Sequence, residues 1–85
     1  MRITWAIEGK GAGGADVPDV DAAVSALSAA VRDVYGSLDT GSLATVLTAV
    51  LGPLRASMVT DGRYAVERGN EWSTHVGGIL VVLYP

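Results

Sequence analysis

Ile79-Leu80-Val81-Val82-Leu83-Tyr84 is apolar at every position and follows the dipeptide Gly77-Gly78. A short apolar run rich in β-branched residues and bounded by glycines reads as a strand. A strand without a polar face belongs in the middle of a sheet. One layer of helices would cover only one of its two faces, so Leu80, Val82 and Tyr84 become candidates for contact with another chain.

Working back from this strand, Gly77-Gly78 reads as a bulge or tight connection. Glu71–Val76 has period two, with Trp72, Thr74 and Val76 on one face. Gly69-Asn70 and Asp61-Gly62 are turn dipeptides, and Arg63–Arg68 between them reads as another strand, with Tyr64 and Val66 on one face. Tyr64 and Trp72 are expected to be neighbours on adjacent strands. At the other end of the chain, Ile3, Trp5 and Ile7 alternate with Arg2, Thr4, Ala6 and Glu8, which is a half-buried strand over residues 2–8.

Two helical patterns lie between. Val20, Val24, Leu27, Val31 and Val34 recur at four- and three-residue spacing, after the capping candidates Asp16 and Asp19 and before Gly36. Leu43, Val46, Leu47, Val50, Leu51, Leu54 and Met58 form a second, more apolar stripe after the capping candidates Ser37, Asp39, Thr40 and Ser42. Pro53 lacks a backbone donor, so a kink or break is expected at Gly52-Pro53, with 54–58 as a short extra turn. The expected order is β-α-α-β-β-β. The expected fold is α+β: a single domain over 1–85, two layers, two helices on one face of a mainly antiparallel four-stranded sheet.

Eighty-five residues, 49% of them hydrophobic, with mean hydropathy +0.37, allow one core and leave apolar surface over. Much of that hydrophobicity is Ala. The surplus therefore narrows to the second helix and the far face of the last strand, with Trp5, Leu47, Leu51, Leu54, Tyr64, Trp72, Leu80, Val82 and Tyr84 as interface candidates. There is no Cys, hence no disulfide or thiolate metal site. Net charge is −3 with scattered Arg, so no nucleic-acid partner is expected. Leu43–Leu54 is interrupted by Thr45, Thr48, Gly52 and Pro53, so no membrane-spanning helix is expected. The broken apolar run at residues 1–9 does not read as a signal peptide, which favours a cytoplasmic or particle-associated protein.

Gly9-Lys10-Gly11-Ala12-Gly13-Gly14 matches the spacing G-x-G-x-x-G. Gly9, Gly11 and Gly14 would cradle a phosphate if the segment joined a strand directly to a helix. Asp16, Asp19 and Asp21 oppose an anion there, and residues 9–15 read instead as a flexible loop. The lone His75 lies near Ser73, Glu67 and Glu71, yet residues two apart on a strand are about 7 Å apart, too far for a nucleophile and its base. No catalytic residue, cofactor or metal is expected. The leading expectation is a non-enzymatic structural or assembly protein, a homo-oligomer or particle subunit such as a small virion component. The alternative is a small regulatory or inhibitor protein binding one partner, and a nucleotide-binding module comes third.

Overall fold

The computed structural model describes residues 1–37 and 39–85. Strands β1 (Arg2–Ile7) and β2 (Gly11–Asp16) come first, followed by helix α1 (Val20–Val34). A continuous helix α2 (Thr40–Glu67) and the hairpin β3 (Trp72–Val76) and β4 (Ile79–Tyr84) complete the chain. The sheet is antiparallel throughout, in the order β2-β1-β4-β3. Two helices over a four-stranded antiparallel sheet is the architecture expected from sequence. The order of elements is not, because residues 11–16 are a strand and residues 63–67 are helix.

The core is formed by alternate positions. Ile3 pairs with Leu83, Trp5 with Val81 and Ile7 with Ile79, while Trp72, Thr74 and Val76 face the same three β4 residues from the other side. Ile3, Ile7, Ile79, Val81 and Leu83 are buried beneath Val20, Ala23, Val24, Leu27 and Val31 of α1 and Leu51, Leu54 and Met58 of α2. Helix α1 starts where Asp19 accepts a hydrogen bond from the Ala22 N–H at 2.8 Å. Helix α2 starts at Asp39, whose carboxylate accepts from the Ser42 N–H. The Ser42 side-chain hydrogen bond, then the backbone one, holds the Asp39 carboxyl below its ordinary range.

Helix α2 does not break at Gly52-Pro53. A π turn covers Leu47–Leu51, with the Gly52 N–H donating to Leu47 O, and this widened turn accommodates the proline. A second π turn covers Met58–Gly62. Residues 54–58 are therefore not a separate turn: the buried stripe Leu51, Leu54, Met58 continues through Gly62 and the half-buried Val66. Gly62 is a point of close approach rather than a hairpin turn. A Cβ there would lie 2.9 Å from Leu83 Cδ1 and 3.1 Å from the Trp72 ring, so the sheet packs directly on the helix backbone. The helix ends at Gly69-Asn70, where Asn70 N–H donates to Ala65 O and Gly69 N–H to Val66 O, a Schellman stop with Gly69 at φ +80°.

At 28 residues α2 is about 42 Å long, matching the 40 Å long axis of the molecule. The sheet underlies its later half, and the stretch from Thr40 to Ala49 contributes no fully buried residue. By length and composition α2 could cross a membrane: an 18-residue window reaches mean hydropathy 1.4 with 17% of it buried. The expectation of no such helix is corrected on that point, because Thr, Gly and Pro do not interrupt it. Its Leu51, Leu54 and Met58 are nonetheless packed on the sheet.

Candidate interaction surface

Alternation along β4 divides its side chains between two environments. Ile79, Val81 and Leu83 are fully buried, whereas Leu80 (42% exposed), Val82 (half-buried) and Tyr84 (36% exposed) stand on the face away from the helices. That outer face has rows set by strand register. Ala12, Ala6, Leu80 and His75 form one, and Gly14, Thr4, Val82 and Ser73 the next. Asp16, Arg2 and Tyr84 follow, with Arg2 and Asp16 paired at 3.2 Å. Because Ala6, Ala12 and Gly14 are small, the surface between them and Leu80 and Val82 is a shallow depression. Among the described residues, nothing covers it.

The other interface candidates divide differently. Leu51 and Leu54 are core residues, and Leu47 packs half-buried against the core. Trp5 and Trp72 are half-buried on the helix side of the sheet, the Trp5 indole lying over Gly13 and Trp72 against Gly62. Tyr64 is not a cross-strand neighbour of Trp72, because it sits on α2. It is 62% exposed, with the Arg68 guanidinium 4.3 Å above its ring.

The glycine segment has neither the flexible-loop form nor the strand-to-helix form. Residues 8–10 are a turn, and Gly11–Asp16 pairs with β1 from Ile7↔Gly11 to Arg2↔Asp16. Val17, Pro18 and Asp19 separate it from α1, and the Asp19 carboxylate occupies that helix's N-terminus. Gly9, Gly11 and Gly14 therefore surround no anion cradle. His75 and Ser73 are exposed on the outer face, and Glu67 lies at the end of α2, away from them. Among the described residues, no group of three or more His, Cys, Asp or Glu could hold a metal, and no polar side chain is buried.

Sequence reasoning missed that Ala12 and Gly14 belong to the outer face. Alanine and glycine carry no polar–apolar alternation, so the only signal was the Ala12-x-Gly14-x-Asp16 spacing ending in a partner for Arg2. Comparison of the chain with protein families, curated proteins and solved structures found no match.

Proposed function

We propose that this chain is a non-enzymatic structural or assembly protein, working as a homo-oligomer or as a subunit of a larger particle such as a virion. The observation that carries this reading is the outer row of β4. Leu80, Val82 and Tyr84 form an apolar strip on the outer sheet face beside the small Ala6, Ala12 and Gly14, with no cover from the described residues. An exposed contiguous apolar patch on a small domain marks a contact surface. The partner on this reading is another copy or another protein, rather than nucleic acid, membrane or small molecule, and the protein is cytoplasmic or particle-associated. Sedimentation velocity at micromolar concentrations is expected to show a species larger than the monomer. A stable monomer throughout that range overturns the proposal.

A second reading, a small regulatory or inhibitor protein with one partner, draws on Tyr64 and Arg68. A stacked, exposed Tyr–Arg pair is the side-chain chemistry of interface anchors. A monomer that titrates saturably with one purified partner, and loses that binding in Tyr64→Ala, would favour this reading over the first. For the nucleotide-binding alternative, calorimetry with dinucleotides and nucleoside triphosphates is expected to show no heat.

A further inference from the structure

Strand β2 is an edge strand of unusual composition: Gly-Ala-Gly-Gly-Ala-Asp, paired continuously with β1 and free on its other side. The direction of its hydrogen bonds follows from the strand ends. The Met1 ammonium donates to Val17 O at 3.1 Å and the Val17 N–H donates to Met1 O at 3.0 Å, so residues 1 and 17 are a hydrogen-bonded pair. Pairs alternate along an antiparallel ladder, so Gly11, Gly13 and Ala15 turn their N–H and C=O toward β1. Ala12, Gly14 and Asp16 turn theirs outward.

Edges of this kind are ordinarily protected by Lys, Pro, a bulge or a covering element. Along β2 the register with β1 is unbroken, there is no Pro or Lys, and the helices pack chiefly over β1 and β3, with Ala15 the β2 residue that reaches the core. Its small side chains also leave a second backbone free to approach.

We propose that two copies of this chain join through their β2 edges, antiparallel about a two-fold axis at Gly13, to give one continuous eight-stranded sheet. This rests on the reading of the chain as a self-assembling protein and adds an edge contact distinct from the outer row of β4. Keeping both helix layers on one side requires odd-numbered residues opposite odd-numbered ones. Centring on Gly13 places Ala12 opposite Gly14 of the second copy, and each such pair exchanges two backbone hydrogen bonds. The same register places Lys10 opposite Asp16 of the second copy; its ammonium, which in the single chain stands 5.9 Å over the Tyr35 ring on the helix side, would turn to the outer face to extend the Arg2–Asp16 pair into a cross-strand row of alternating charge. Centring on Gly14 would instead place Lys10 opposite Pro18 and lose that complementarity. On the helix side, the two Trp5 residues would be separated by three strand spacings, roughly 14 Å between Cα atoms, with each indole already reaching across Gly13 toward the axis. The joined outer faces form a surface twice the width of one chain's.

Sedimentation equilibrium on the full chain tests this with three variants. Ala12→Pro removes an outward-facing donor, and Lys10→Glu sets like charges opposite each other in the exposed turn. Each is expected to weaken the dimer at least about tenfold, while Leu80→Glu, on the outer face that would carry further association, is expected to remove species larger than the dimer and leave the edge-paired dimer as the limit. Far-UV circular dichroism checks folding, and Lys10→Glu carries the test if Ala12→Pro does not fold. Because the chain has no Cys, a single spin label on Ala12→Cys, pointing to the outer face, is expected to show dipolar broadening. An oligomer abolished by Leu80→Glu but indifferent to both edge variants overturns the edge contact and leaves the assembly function standing. A wild-type monomer overturns both.

Discussion

The hairpins β1–β2 and β3–β4 flank one another in the same sheet but are specified in different ways. In β3–β4, side chains decide register: Trp72, Thr74 and Val76 oppose Leu83, Val81 and Ile79, and a slip by one residue would expose all of them. In β1–β2 only β1 carries such information. Strand β2 offers Gly11, Gly13 and Ala15 to the same side, and its position depends on backbone pairing, the Trp5 ring and the Arg2–Asp16 pair. One hairpin is fixed by what its side chains bury, the other by how little its side chains obstruct. A strand specified in the second way can be ordered and still remain open to a neighbour.

Substitutions along both hairpins separate these modes, and each can be followed by urea unfolding at one protein concentration. Leu83→Ala removes a fully buried side chain that touches both Ile3's strand and the α2 backbone at Gly62, and should cost about 2–5 kcal/mol. Gly77→Ala should cost about 1–3 kcal/mol. Its φ of +57° disfavours a Cβ, and that Cβ would lie 2.7 Å from Val50 Cγ2. Gly13→Ala should cost about 1 kcal/mol, with Trp emission shifting as the Trp5 ring, 2.9 Å from the new methyl, is displaced. If Gly13→Ala leaves both stability and emission unchanged, Trp5 does not position β2. Arg2→Ala should cost no more than about 0.5 kcal/mol, because both partners are largely exposed. A larger loss would mean that the charge pair, rather than the backbone, fixes the first hairpin.

The same division explains what could be read without the structure. Strands β1 and β4 and helix α1 announce themselves through apolar periodicity, and the two-sided character of Ile79–Tyr84 pointed directly to Leu80, Val82 and Tyr84 as the outer row. Strand β2 was hidden because glycine and alanine have no periodicity to read. Residues 61–68 misled for a related reason. The buried helical stripe passes through Gly62, where the apolar contact is made by Leu83 and Trp72 upon bare backbone, so the stripe looks interrupted by a turn. Two π turns shift the spacing toward four and further obscure it. Leu51 and Leu54, candidates for contact outside the chain, were taken up by a core that was larger than the stripe ending at Met58 suggested.

Strands β1 and β4 are central neighbours, yet about 70 positions separate Ile7 from its partner Ile79. Joining them closes the largest loop in the molecule, an entropic cost that must be met before their contacts stabilise anything. Each hairpin and each helix can begin locally, but the middle of the sheet can close only after the outer pieces have met. Until then the β1–β2 hairpin has two open edges rather than one, and the choice between closing on β4 and pairing with another chain is a kinetic one, set by protein concentration against the speed of loop closure.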